Sequence, residues 1–329
     1  MRTLGFFNNK GGVGKTTLLY HIACLLADRG VRVLAVDLDP QANLSSMFLE
    51  EDTLERLWPR GDHPLTIFGA LRPIIRGLGD VESPHVEPVG VNLGLLVGDL
   101  ALSTFEDRLS DAWLKCHNRD EAAYRTMSAF HRGIQLAATG FQAEWVLVDV
   151  GPNLGAINRA ALIAVEHVVI PLNPDLFSLQ GLRNLGPSLR SWRETWTDLR
   201  RKTPDPALSL PAGQIAPIGY VIIQHGTREH RPVKAYQRWI ERFPGAYRES
   251  VVEASEDNPP AAAQDPYCLG MLRHYRSLIP MGMEARKPVF ALRPADGAIG
   301  AHAEATRHAY TDFLALARRI ADRCGAGVP

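Results

Sequence analysis

Asn9-Lys10-Gly11-Gly12-Val13-Gly14-Lys15-Thr16-Thr17 decides the fold. It follows a short apolar run, Thr3 to Asn8, and precedes a helix-period segment, Thr16 to Arg29. In that segment Leu18, Leu19, Ile22, Leu25 and Leu26 form one face and Gly30 supplies the stop. Strand, glycine-rich loop and amphipathic helix in that order make a phosphate-binding loop. The glycines let backbone N–H groups curl around an anion, and the helix N-terminus adds partial positive charge. On this reading Gly11, Gly12, Val13, Gly14, Lys15, Thr16 and Thr17 hold the phosphates of a nucleotide. Lys15 reaches the β and γ phosphates, and the Thr16 hydroxyl ligates Mg²⁺.

Further apolar runs bounded by turn residues recur at Val31 to Val36, Val91 to Val97, Trp145 to Val148, His167 to Leu172 and Ile218 to Ile223. Such runs read as buried parallel strands, and their alternation with helical segments predicts a doubly wound α/β architecture. The expected sheet is mostly parallel with helices on both faces, formed by residues 1–329 as one domain with peripheral additions at about 50–90 and 203–213. A last helix is expected over about His302 to Arg323, with Tyr310, Phe313, Leu314, Leu316 and Ile320 at helical spacing.

Thirty-six basic residues balance 36 acidic ones, so no global field draws the chain to nucleic acid or an anionic membrane, and any such binding needs a local patch. Only six of the basic residues are Lys. The rest are Arg, the side chain suited to bidentate phosphate contacts, although codon bias explains the same excess. Four widely spaced cysteines without a C-x-x-C suggest neither a disulfide framework nor a zinc or iron–sulfur site and fit a reducing cytoplasm. No signal-peptide core and no 18-residue apolar stretch occurs, so neither secretion by that route nor a membrane span is expected.

Two acidic strings bear on the chemistry. Asp37-Leu38-Asp39-Pro40-Gln41-Ala42-Asn43 places two carboxylates at the C-terminal edge of a parallel sheet, where open α/β folds bind ligands, able to face Mg²⁺ and an attacking water. Asp39 as a plain helix N-cap is the alternative. Trp145-Val146-Leu147-Val148-Asp149 is an apolar strand ending in one acid that can hold Mg²⁺ directly or through water.

The second lysine of the loop, Lys10, makes the run resemble the deviant Walker A motif of the ParA/MinD family of P-loop ATPases. Asp37 to Asn43 resembles that family's D-x-D-P-Q switch I, and Asp149-Val150-Gly151-Pro152-Asn153-Leu154-Gly155 its D-x-P-P-x-L-G switch II, with Gly151 standing where the first proline is usual. Val168 to Leu172, Phe177 to Leu182 and Asp296 to Gly300 extend the likeness, which is loose in 50–90 and 200–265. The resemblance implies ATP and Mg²⁺ as ligands and slow, partner-stimulated hydrolysis. Lys10 would then cross a dimer interface to the partner's nucleotide, Lys15 would bind phosphate, Asp39 would position water, and Thr16, Asp37 and Asp149 would serve the metal. The base sits in the family against the loop after the sixth strand, here Gln224 to Arg228, which makes Gln224 an adenine contact or simply a polar strand end. Lys10 as a solvated loop lysine is the plain alternative.

The implied biology is an ATP-dependent homodimer that binds duplex DNA nonspecifically, is stimulated by a ParB-like or other protein partner, and positions a plasmid, chromosome or protein complex in the cytoplasm, at the nucleoid if DNA is bound. Two basic patches could serve: Arg183, Arg190, Arg193, Arg200, Arg201 and Lys202 interleaved with Trp192 and Trp196, and Arg228, Arg231, Lys234, Arg238, Arg242 and Arg248. The alternative for the tryptophans, at i and i+4, is a packed helix face. A MinD-like membrane switch and an ATP-dependent amidase or synthetase of the same fold are the other readings. The last helix is better explained as core than as a membrane anchor, and no glutaminase triad is evident. The loop's position at Lys10 leaves no room for a preceding DNA-reading domain in these residues.

Overall fold

Residue alternation along the central strands sends side chains into two separate layers. Val33 and Ala35 face one hydrophobic cluster while Leu34 and Val36 face the other, and Trp145 and Leu147 part from Val146 and Val148 in the same way. Both faces are therefore covered, which is why these strands read as unbroken apolar runs.

The computed structural model describes residues 1–225, 227–228, 231–232, 234–254 and 256–328, without the side chains of 224–235. Its strands are β1 (Arg2–Phe6), β2 (Val33–Asp37), β3 (Glu87–Gly90), β4 (Leu93–Leu96), β5 (Trp145–Asp149), β6 (His167–Leu172), β7 (Ala216–His225), the short pair β8 (Thr227–Arg228) and β9 (Arg231–Pro232), and β10 (Cys268–Arg273). The main sheet has the order β10-β7-β6-β1-β5-β2-β4-β3, parallel except where β3 folds back antiparallel on β4. The expected doubly wound, mostly parallel sheet is thus observed. Two edge strands, β3 and β10, were not anticipated.

The α-helices are α1 (Lys15–Asp28), α2 (Asn43–Phe48), α3 (Glu51–Leu57), α4 (Ile67–Arg76), α5 (Glu106–Cys116), α6 (Glu121–Met127), α7 (Ala129–Phe141), α8 (Ala156–Ile163), α9 (Leu176–Arg201), α10 (Lys234–Ile240), α11 (Phe243–Tyr247), α12 (Leu278–Ala285) and α13 (Ala301–Arg323). Helices α4 to α9 pack on one face, α1 and α13 on the other. Phe313, Leu316 and Ile320 of α13 are buried, so its apolar stripe is core. Among the described residues no helix is long and apolar enough to cross a membrane. The 203–213 stretch is pinned to α9, since the Trp196 indole N–H donates to the Pro211 carbonyl at 3.0 Å and Gly213 lies against its ring.

His21 ties α1 to the chain ahead of α13. Its Nδ1 donates to the Thr17 carbonyl at 2.7 Å, its Nε2 accepts the Val289 N–H at 3.1 Å, and its ring stacks on Phe313 with centroids 4.7 Å apart. Burial pushes its pKa down to about 4 from the ordinary 6.5, so it is neutral in the folded protein. The unfolded chain takes up a proton first as pH falls, so the contribution of His21 to stability is complete above about pH 6.5 and is lost between there and about pH 4. Denaturant unfolding should show about 2 kcal/mol of pH-dependent stability between pH 7 and pH 5 that is missing in His21→Gln. Equal pH slopes in the two proteins would contradict this.

Candidate active site

Register places the acids. Asp37 at the end of β2 and Phe6 at the end of β1 both pair with Asp149 at the end of β5, so the loop that leaves β1 passes directly beside two carboxylates. The loop is anchored where it begins, because the Asn8 amide donates to the Pro171 carbonyl at 2.6 Å and Asn8 Oδ1 accepts the Lys10 N–H at 2.9 Å. Gly12 at φ 71° and Gly14 at φ 82° take left-handed conformations that a side chain would strain. Gly14 then leads into α1, whose first residues are Lys15 and Thr16.

These two residues meet the acids. Thr16 Oγ1 donates to Asp149 Oδ2 at 2.7 Å. Lys15 is buried, and burial pulls its ammonium pKa down while the charges of Asp149 and Asp39 hold it up. Burial, and then the neighbouring Asp149, pushes the Asp37 carboxyl up to about 8. Burial is likewise the main cause that pushes Asp149 up to about 7, against the Thr16 hydrogen bond and the Lys15 charge. The other oxygen of Asp149, Oδ1, is buried without a hydrogen-bond partner. An orphaned carboxylate oxygen beside a hydroxyl is an oxygen donor set that suits Mg²⁺.

The structure separates the two candidate metal acids. Both oxygens of Asp37 are engaged by the protein. Oδ2 accepts the Ser45 N–H and Oγ–H, each at 2.8 Å, and Oδ1 accepts the Asp39 N–H at 3.3 Å. Ser45 Oγ also accepts the Gly98 N–H at 2.8 Å, and the Gly98 carbonyl accepts the Trp58 indole N–H at 3.0 Å. Asp37 is thereby linked to the 50–90 stretch. Ser45, Gly98 and Trp58 carry no local sequence signal for this, because they converge only through the fold.

Asp39 is buried, and its Oδ1 accepts the Gln41 N–H at 3.0 Å, closing a turn. Helix α2 starts later, with Ala42 at its N-cap, so the plain helix-cap alternative for Asp39 does not describe this turn. Lys10 pairs with Asp175, the N-cap of α9, and lies 5.8 Å from the ring centroid of Phe177. Phe177, Leu176 and Leu154 are exposed apolar residues. The Gln224 side chain lies outside the described residues, while Ile223 before it lines a cavity of about 40 Å³ with Gly14, Thr17, Leu272, Arg273, His274 and Tyr275. The loop after β10 was missed in the sequence because β10 itself was.

The family profile described as an AAA domain, AAA_31, matches residues 1–200. The chain belongs to the AAA_31 family. Among curated relatives it is 32% identical over 195 residues to Protein IncC of Escherichia coli, covering 59% of this chain and 47% of that one. It is 30% identical over 188 residues to the chromosome partitioning protein ParA of Myxococcus xanthus, covering 56% of each. The chain spans about half the length of the curated relatives it matches. Protein DIP2308 of Corynebacterium diphtheriae superposes with a TM-score of 0.69 at 25% identity, over 87% of this chain and 97% of that one. Within AAA_31, this is a ParA/MinD-class P-loop chain with the expected α/β fold.

The AAA_31 chain's basic patches need two corrections. Trp196 is fully buried and stacked on Trp113, so it is core and not available to a base. Arg248 is buried and paired with Asp265 and Glu256, which makes it structural. Arg183, Arg200, Arg201 and Lys202 remain exposed along α9 and just beyond it, whereas Arg190 pairs with Glu253. In the second patch Arg238 and Arg242 are exposed beside Trp239, and the side chains of Arg228, Arg231 and Lys234 lie outside the described residues.

Close packing at Gly98 can be tested directly. A Cβ there would stand 2.7 Å from Asp37 Cγ and 2.8 Å from Oδ2. Gly98→Ala should lower unfolding stability by about 1–3 kcal/mol, measured by urea titration, and a wild-type midpoint would refute the contact.

Proposed function

We propose that the chain is an ATP-driven switch in which ATP and Mg²⁺ hold two copies face to face and hydrolysis releases them. The paired form binds duplex DNA without sequence preference and positions or partitions a cargo. The observation that carries this reading is the cluster of buried Lys15 and half-buried Thr16 at the start of α1 against buried Asp149 at the end of β5, with Asp149 Oδ1 lacking a partner.

In this reading residues 1–329 work as one ATPase domain. Gly11 to Thr17 wrap the phosphates with backbone N–H groups, and Lys15 offsets their charge. Thr16 and Asp149 would hold Mg²⁺, which supplies charge neutralisation to the β and γ phosphates when bound; Asp37 keeps switch I in place behind them. Asp39 holds the attacking water and takes the orientation of its carboxylate from the turn closed by Gln41. Gln224 contacts the base beside the cavity at Gly14 and Tyr275. Lys10 leaves Asp175 and reaches the phosphates of the second copy, where a cation stabilises charge developing on the transferred group. Exposed Phe177, over whose ring Lys10 lies, and Leu176 next to Asp175 supply apolar surface for that contact.

Support for the output comes from the relatives, one of which is named a chromosome partitioning protein. Arg183, Arg200, Arg201 and Lys202 give each copy an exposed cationic stripe, doubled on pairing. A ParB-like or other protein partner would stimulate hydrolysis, and the linkage from Trp58 to Asp37 gives the 50–90 stretch a route to switch I.

Fluorescence anisotropy of a random-sequence duplex titrated with Asp39→Ala protein tests this. Binding is expected with ATP–Mg²⁺ and not with ADP, weakening by at least about a thousandfold from 50 to 200 mM salt. Lys15→Ala should abolish nucleotide binding and with it the response. Absence of DNA binding in both nucleotide states would refute the DNA output and leave a protein complex or membrane as the target.

A further inference from the structure

Between Asp149 and α8 the chain runs through Gly151-Pro152-Asn153-Leu154-Gly155, with a glycine at each end and no strand or helix to hold it. Two parts of the site lean on this segment. Pro152 lies against Gly11 of the phosphate loop, where a Cβ would be 3.8 Å from Pro152 Cγ. Gly151 lies against Asp39, where a Cβ would be 3.4 Å from Asp39 Oδ1. Glycine imposes no restraint of its own on φ, so something else must fix the approach.

We propose that Asn158 is the positioning residue that holds this segment, taking over by hydrogen bonding the restraint that a proline at position 151 would supply through its ring. Asn158 is buried in the first turn of α8, and its amide faces the segment that precedes the helix. Its Oδ1 accepts the Gly151 N–H at 3.0 Å and its Nδ2 donates to the Gly151 carbonyl at 2.9 Å, a reciprocal pair that fixes which way the amide points. The same Nδ2 donates to the Asn153 carbonyl at 2.7 Å and to Asn153 Oδ1 at 3.0 Å, and Asn153 Oδ1 accepts the Gly155 N–H at 2.8 Å. Glu106 of α5 secures the far end by accepting the Ala156 and Ile157 N–H groups at 2.5 and 2.8 Å.

Glycine and Asn158 therefore form a matched pair. A proline at 151 lacks the N–H that Asn158 Oδ1 accepts, and its Cδ would occupy the space where that oxygen sits. The two restraints exclude each other, so Gly151→Pro should harm the wild type and help a protein that lacks the amide.

The assignment of an effect on hydrolysis rests on the proposed ATPase reading, so the test has two readouts. Steady-state phosphate release and fluorescent-nucleotide affinity are measured for wild type, Asn158→Ala, Gly151→Pro and the double variant. Amide exchange over 151–155 is followed in the same proteins. Asn158→Ala should lower kcat about tenfold with nucleotide affinity within about twofold of wild type, and should speed exchange at Gly151. Gly151→Pro should lower kcat alone and raise it in the Asn158→Ala background. Asn158→Asp, which keeps the acceptor and loses the donors, should fall between and serves if Asn158→Ala is unstable. Unchanged exchange and kcat in Asn158→Ala, parallel loss of affinity and thermal midpoint, or a double variant no faster than Asn158→Ala would each overturn the proposal. A wild type that fails to bind ATP would refute the ATPase reading, and the exchange result would still decide the clamp.

Discussion

Phe6, Asp37 and Asp149 end three adjacent parallel strands at the same level, and the site depends on that register. It brings the loop after β1 beside two carboxylates that have no access to water and whose charged forms burial disfavours. Charge compensation then becomes the governing constraint. Lys15 at the start of α1 supplies one cation, the Thr16 hydroxyl satisfies one oxygen of Asp149, and the remaining oxygen has no hydrogen-bond partner. A slip of one residue in β2 or β5 would turn an acid to the opposite face and dismantle the cluster.

Around this cluster the protein spends its polar side chains on holding backbone in place. Ser45 holds Asp37 and accepts the Gly98 N–H, Asp39 closes a turn on the Gln41 N–H, Asn8 anchors the loop's start to β6, and Asn158 gathers the segment after Asp149. The elements that would answer to a γ-phosphate are thus loops fastened by a few hydrogen bonds to a rigid sheet. Such an arrangement allows two discrete positions of a loop without disturbing the core. Lys10 fits the same pattern, since its ion pair with the α9 cap is partly exposed and is readily exchanged for another anion.

Much of this was legible in the sequence wherever the signal is local. The phosphate loop, α1, the acids at the ends of β2 and β5 and the six predicted strands are each specified by a contiguous run of residues with its own period and boundary. What escaped is long-range or short. β3 has four residues, and β10 is broken by Gly270 and by register shifts against β7, so neither shows a clean run. Trp196 stands among arginines in sequence, but its ring faces inward against Trp113; Arg248 is basic in composition and structural in place. Ser45, Gly98 and Trp58 acquire their roles only when distant segments meet, whereas Asn158 acts on residues five and seven positions before it, through a loop whose path the residue types do not announce.

The central claim is that nucleotide state controls pairing through Lys10. Sedimentation velocity of the Asp39→Ala protein, with and without Lys10→Ala, in ATP–Mg²⁺ and in ADP tests it most directly. The account predicts a dimer only for Asp39→Ala with ATP–Mg²⁺, and a monomer in ADP and in both states once Lys10 is removed. A single oligomeric state throughout, or an ATP dimer that survives loss of Lys10, would contradict it.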